Sequence, residues 1–475
     1  MSSDSQSKTR ATLEPLIRSL KSGSVLTPSD SAFALHSEPF AVQKQRHPPV
    51  VLVPSSVEEV SLIIRFLYKS DLDFAIRGHG FKSPSAKDVV VSMLSFKEIE
   101  YDHVKKIANV GASATWSEVV TYMEKADPEY SIAAARTPSI GVAGTVLNGG
   151  LSWMSTEYGC ISDPVNFLDA EVVKYDGSVV MASQEPDLLW SLRGSGGGFG
   201  IITKILLRAH YYPTNIWSGM VLVPRKWLPQ LVDEIVEFNK SAPHPKVTYF
   251  VYFLPERLLP TILEQEEPEA GDAIIFHVYD ALGEEHGRKA FRWVLDKPGA
   301  IDRTRVTNMK GVVDMQRNAA LLRGTTKTMY APMALPDLDQ ATIHRAVQFY
   351  DKLGSLDKSI QEISSVIFEC LLVRPPIGGT AEIAWPRSPG LNHLLLLIAS
   401  CPADGPKEQE DLLRQISVDA PKEVLGDKLS QVEVNPAGLE PSYHSVRDVY
   451  REHYDKLVAL RRVYDPSSRF KSFFG

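Results

Sequence analysis

Apolar and polar positions follow two patterns along this chain, helical spacing and strand alternation, and both become regular at Pro48. Val50-Val51-Leu52-Val53 is an apolar run enclosed by prolines and reads as a strand. Ser55-Ser56 followed by Glu58-Glu59 is a helix start that turns Val57, Val60, Ile63, Ile64 and Leu67 to one face. Phe74-Ala75-Ile76, Val89 to Met93 and Ile107 to Gly111 read as further strands, and a helix is expected over about 115–125. Asp176-Gly177 turns a hairpin within Ala170 to Val180. Ahead of Pro48, residues 1 to about 31 are polar, with one amphipathic stretch around Leu13, Ile17 and Leu20. This segment reads as a mobile or loosely packed leader.

Near Tyr211-Tyr212-Pro213 the character changes. Val247 to Phe253 and Ala273 to Tyr279 alternate as strands, Ala381 to Trp385 and on to Ile398 supplies further strand material, and helical tracts lie between. The pattern predicts an antiparallel sheet with helices on one face. Tyr450 to Phe470 reads as an amphipathic helix closed by Asp465-Pro466-Ser467. Helices and strands are mixed rather than strictly alternating, so the class is α+β.

Composition narrows the function. A chain of 475 residues, 44% hydrophobic, can bury two cores. A net charge of −7 offers no basic stripe for nucleic acid, so the partners expected are small molecules, with the protein a monomer or homodimer. Cys160, Cys370 and Cys401 have no paired spacing and the first residues lack an apolar signal core, which reads as intracellular and cytoplasmic. The apolar run Leu394 to Ala399 falls far short of the ~20 residues that span a bilayer. The 12 histidines lack metal-ligand spacing, so no metal is expected.

Three glycine-rich turns carry the chemistry: Arg77-Gly78-His79-Gly80-Phe81, Gly141 to Gly144 continuing through Asn148-Gly149-Gly150, and Gly194 to Gly200. Amides freed from side-chain bulk converge on an anion, and three such turns in one half point to a long phosphate-bearing cofactor. None fits a Rossmann fingerprint, since the Gly194 to Gly200 run enters a strand rather than a helix. P-loop, nucleophile-elbow and H-E-x-x-H motifs are absent.

Taken in order, Pro54 to Val60, Ala75 to Phe81, Arg136-Thr137-Pro138-Ser139-Ile140-Gly141-Val142-Ala143-Gly144, Asn148 to Ser152, Tyr158-Gly159 and Asp187 to Gly194 resemble the flavin-binding domain of the vanillyl-alcohol oxidase superfamily. Within it the chain is similar to berberine bridge enzyme-like FAD-linked oxidoreductases, particularly fungal ones of secondary metabolism. The ending Tyr454 with Tyr464 to Phe470 is similar to the closing helix of that family. The resemblance implies a two-domain α+β fold of PCMH-type with an inserted antiparallel-sheet substrate domain. Residues 1–45 are then a leader and N-terminal segment, 46–212 the FAD-binding domain, 213–440 the substrate-binding domain, and 441–475 a segment returning to the FAD domain. It implies FAD held by Arg77, Gly78, His79, Gly80, Phe81, Thr137, Gly141, Val142, Gly144, Thr145, Asn148, Gly149, Gly150, Gly200 and Ile202.

Departures from the family matter. Relatives attach the flavin to a histidine where this chain has Phe81, and some add a cysteine where it has Thr137; neither side chain makes such a bond, so the expected FAD is non-covalent. A shifted turn would present His79 instead; otherwise His79 is a hydrogen-bonding loop residue. The resemblance places Tyr454, with His453, near the flavin as acid–base residues. Strand alternation offers Tyr249, Tyr252, His277 and Tyr279, with Trp385 and Arg387, as substrate contacts. The activity implied is FAD-dependent oxidation, by an oxidase, of an alcohol or activated C–H bond in a small natural product, with hydride passing to flavin N5 and O2 as acceptor. A non-redox cyclase and a flavin-carrying binding protein are the alternatives.

Overall fold

The computed structural model describes residues 3–20, 24–82, 85–255, 273–376 and 379–474. The first sheet has four strands, β1 (Ser24–Leu26), β2 (Val50–Val53), β3 (Phe74–Arg77) and β4 (Val89–Ser92), in the order β1-β2-β4-β3. β2, β4 and β3 are parallel, and every residue of β2 and β4 is buried, as expected of strands covered on both faces. Helix Val57–Lys69 covers it, capped where the Ser56 hydroxyl accepts the Glu59 amide; Val60, Ile63, Ile64 and Leu67 are buried and Val57 half-buried. The leader is not loosely packed. Helix Ser3–Ile17 inserts Leu13 and Leu16 into this core, at 0% and 3% exposure, because two leucines three apart suffice to anchor an otherwise polar helix.

The second sheet comprises β5 (Ile99–Asp102), β6 (Ile107–Gly111), β7 (Tyr130–Ile132), β8 (Phe167–Val173), β9 (Val179–Met181) and β10 (Ile201–Tyr211). It is antiparallel, with order β5-β6-β10-β8-β9 and β7 also on β10. Helix Trp116–Ala126 begins at a reciprocal Thr115–Glu118 capping box. Gly177, at φ +80°, turns the β8–β9 hairpin.

The third sheet, from β11 (Ile216–Pro224), β12 (Val247–Phe253), β13 (Ala273–Asp280), β14 (Ile301–Thr307), β15 (Thr326–Leu335), β16 (Ser365–Cys370), β17 (His393–Pro402) and β18 (Glu433–Val434), has the order β14-β11-β13-β12-β16-β17-β15-β18 and is antiparallel throughout. Helices Leu228–Lys240, Gln340–Leu356 and Lys407–Leu425 pack on one face. The other face, through Phe250 and Tyr279, merges with the core of the second sheet. Among the described residues no helix is long and apolar enough to cross a membrane.

Two expected elements differ. Residues 381–385 are not strand: Ala381 and Glu382 close a 3-10 turn, and β17 begins only at His393. Their backbone is satisfied by the first half of the chain, with the Ala384 amide on the Arg193 carbonyl and the Trp190 indole on the Ala381 carbonyl. The C-terminal helix is shorter than expected, Tyr454–Tyr464, and a short helix Val446–Tyr450 precedes it across Arg451 at φ +38°. Behind it Arg461 reaches the Gly198, Phe470 and Phe474 carbonyls and Arg469 those of Leu67, Ser70 and Leu72, which ties the tail to the first half.

Candidate functional site

The three glycine turns meet. β3 runs into Gly78-His79-Gly80-Phe81, where Gly80 takes φ +70° and a Cβ would lie 2.8 Å from the Arg77 guanidinium. His79 crosses to the next turn: its Nε2 donates to the Ser113 carbonyl at 2.8 Å, and its ring occupies the space a Cβ on Gly141 would need. Gly141 begins a short helix, Val142–Leu147, rather than an open turn. Within it Thr145 donates to the Gly141 carbonyl and accepts from the Trp116 indole, both at 2.9 Å, and Val142 is buried. Gly144 is exposed with nothing within 4 Å of a Cβ, and the Asn148 amide donates to its carbonyl. The Trp385 ring lies over Gly149, and Gly150 packs on Thr145 and Ile161. The third turn joins the second through the Gly196 amide on the Leu147 carbonyl at 2.6 Å. It ends at Gly200, which backs onto Val172, the register partner of Ile202.

This cradle retains donors and acceptors to spare. Arg77 Nε, Ser113 Oγ and Ser139 Oγ are buried without a hydrogen-bond partner, and Ser113 Oγ is 3.7 Å from where a Cβ on Gly78 would sit. Orphaned polar atoms beside side-chain-free backbone fit a polar, phosphate-bearing group. Burial and the neighbouring Arg323 lower the Arg77 pKa to about 10, leaving it charged, while burial lowers that of His79 and favours the neutral ring. Arg77, His79, Glu38, Leu94 and Arg323 line a cavity of ≈ 140 Å³. At the expected attachment position the Phe81 ring is stacked on Phe40, 4.7 Å away, under the Arg323 guanidinium. Thr137 is half-buried in the loop that leads to Gly141.

A second cluster lies between that loop and the third sheet. Trp153 stacks on Phe250 at 4.3 Å and on Tyr279 at 5.3 Å, and meets His277 edge-on. Arg136 sits 4.7 Å over the Phe250 ring and 2.5 Å from Glu369 on β16. Glu369 is fully buried, and its Oε2 has no hydrogen-bond partner. Burial raises its pKa in spite of Arg136. Nearby, Tyr252 accepts from Gln316 at 2.9 Å, Tyr279 bonds Tyr212 at 2.7 Å, and burial lowers the His277 pKa to about 3, so that ring is neutral.

Of the expected substrate contacts the structure thus brings together Tyr252, His277 and Tyr279. Tyr249 is corrected: pleating turns it to the helix face, where it donates to Asn239 and packs on Phe238, Phe291 and Trp293. Arg387 is corrected too, because both its terminal nitrogens are spent on the buried Asp163 carboxylate, at 2.8 and 2.5 Å. His453 contacts the Ala384 carbonyl and Trp190, while Tyr454 lies between Arg447 and Phe474; neither ring contacts the sheet aromatics. Sequence reasoning overlooked Glu369, Trp153, Phe250 and Gln316 as site residues, and Arg136 although it stands in the quoted motif. A charge inside the apolar run Val366-Ile367-Phe368-Glu369-Cys370-Leu371 was the available signal.

Residues 48–183 match the FAD binding domain family. The FAD-dependent monooxygenase tpcD of Cochliobolus heterostrophus is 33% identical over 224 residues, 44% of this chain and 42% of that protein. The chain therefore matches less than half the length of that relative. The (R)-6-hydroxynicotine oxidase of Paenarthrobacter nicotinovorans is 23% identical over 484 residues, 94% of this chain and 95% of the oxidase. The solved structure of wild-type Physcomitrella patens BBE-like 1 aligns with a TM-score of 0.76 at 17% identity, over 97% of this chain and 98% of that one. The match over residues 48–183 makes this part of the chain an FAD binding domain. The chain has the PCMH-type fold of the berberine bridge enzyme-like flavoproteins, and its cofactor is FAD.

Proposed function

We propose that the protein is an FAD-dependent oxidoreductase, an oxidase that acts on an alcohol or activated C–H bond of a small natural product with dioxygen as acceptor. The observation that carries this reading is the buried Glu369 carboxylate with one unpartnered oxygen, set beside Phe250 and Tyr252 where the loop from Arg136 enters the second glycine turn. The flavin unit comprises 46–212 and 441–475, after an N-terminal segment 1–45, and the substrate unit 213–440. FAD is held without a covalent bond by the turns at Gly78 to Phe81, Gly141 to Thr145 and Asn148 to Gly150, with Thr137, Gly200 and Ile202 at their borders. When bound, it supplies the redox chemistry, accepting hydride from the substrate and passing the electrons to dioxygen as peroxide.

The chain's own residues do the rest. Glu369, in its ionised form, takes the proton of the substrate hydroxyl at Oε2, and Arg136 opposes part of the rise in pKa that burial causes. Trp153, Phe250 and Tyr279 surround the pair with flat apolar rings that exclude water. The Arg136–Glu369 ion pair has no net charge, so a neutral hydroxyl suits it; an ammonium group would bring an unpaired charge into buried surroundings. We assign proton transfer here rather than to Tyr454 and His453, whose partners are those of a packed helix start. His277, neutral, serves as a hydrogen-bonding wall. The relatives named as a monooxygenase and as a hydroxynicotine oxidase support oxidation of a small organic molecule.

The test is anaerobic mixing of the yellow protein with a panel of hydroxylated small natural products. Bleaching of the flavin, with recovery and peroxide formation on admission of air, is the expected result. Turnover with an unchanged flavin spectrum would assign a non-redox cyclisation instead.

A further inference from the structure

We infer that Lys82 is the counter-ion of the FAD diphosphate, a fixed ammonium that reaches across the place where the three glycine turns meet. The inference rests on the flavin reading above and adds to it a residue that none of the turns includes. Lys82 directly follows Phe81. Its Nζ donates to the Asn148 side-chain oxygen of the second turn at 3.2 Å and to the Pro436 carbonyl. It also lies 4.5 Å over the ring of Phe473, which fills the space a Cβ on Gly196 of the third turn would need. One ammonium therefore touches the second turn and the ring that seals the third, from a stem anchored at the end of the first.

Its partners are all uncharged. Among the described residues no carboxylate lies within ion-pair distance of Lys82; the acidic group that acts on it, Glu440, is paired with Lys44, whose own charge opposes that of Lys82. His444 is held neutral by burial and accepts the Glu440 amide at its Nδ1, so it supplies no negative charge. Withdrawal from water pulls the Lys82 pKa down to about 7, the mark of a cation that lacks an anion. A diphosphate carries a negative charge on each phosphate, and charge-assisted hydrogen bonds to a desolvated ammonium are among the stronger polar contacts. Asn148 and Pro436 orient the ammonium; the diphosphate completes its charge balance.

The experiment is titration of flavin-free protein with FAD and, separately, with riboflavin, which has the ring system but no phosphate. In Lys82→Met we expect the FAD Kd to rise by about 10–100-fold, the span of one charge-assisted contact, with the riboflavin Kd unchanged. Lys82→Arg should restore most of the FAD affinity, and the salt dependence of FAD binding should be shallower in Lys82→Met than in the parent. Equal FAD affinity in parent and Lys82→Met overturns the assignment. So does an equal loss for both ligands, which would mark Lys82 as structural. A parent protein that binds neither ligand overturns the flavin reading itself and the inference with it.

Discussion

Glu369 works as a base only when ionised, and burial raises its pKa. The sign of the pH effect follows: flavin reduction by substrate should be slow at low pH, rise as pH climbs through that raised pKa, and level off above it. Glu369→Gln should slow reduction by about 10²–10⁴-fold and remove that limb of the profile. Anaerobic stopped-flow absorbance across pH measures both, and a Tyr454→Phe variant with the same loss would return proton transfer to the C-terminal helix. At this scale the sequence was half legible. Alternation correctly paired His277 with Tyr279 on one face and Tyr249 with Val251 on the other, yet it carries no sign for which face meets the helices. Glu369 was overlooked because its partner Arg136 lies more than two hundred positions away, and a buried pair of that kind leaves only a lone charge in an apolar run.

Elements were read well where their backbone partners are local. The capped helices Val57–Lys69 and Trp116–Ala126 and the strands β6 and β12 stand where side-chain period and capping residues placed them. Residues 381–385 were misread because their hydrogen bonds go to Arg193 and Trp190, which no local pattern reports. The residues that follow hold a testable link. Two residues beyond that segment, Arg387 pairs with Asp163, 5% and 0% exposed, in the loop after Gly159, whose missing side chain leaves room for the pair. Arg387→Met should cost about 3–5 kcal/mol by leaving the carboxylate buried and alone, while adding Asp163→Asn should recover part of that loss. Denaturant unfolding of the two variants decides it; a loss below about 1 kcal/mol would mean that Asp163 finds another partner or water.

At the scale of the molecule, the motifs in order disclosed the fold, since glycine turns between strands are local. What they did not disclose is the docking of Trp153 from the first half onto Phe250 and Tyr279 of the third sheet, a contact made only once both units are folded. The proposed non-covalent attachment of the cofactor belongs to this scale too. Phe81 is stacked on Phe40 beneath Arg323, Thr137 has no thiol, and His79 is turned to the Ser113 carbonyl, which supports FAD held without a covalent bond. Acid precipitation should therefore leave a colourless pellet and a yellow supernatant. A cofactor held without a covalent bond stabilises the folded chain by mass action, so on this proposal adding FAD back to the stripped protein should raise stability with concentration, by about 2.7 kcal/mol at a hundredfold excess over Kd. Thermal unfolding over a range of added FAD reads this directly. Colour that stays in the pellet and is lost from His79→Ala would instead mean that the first turn shifts to make the histidine the anchor, and stability would then be independent of added FAD.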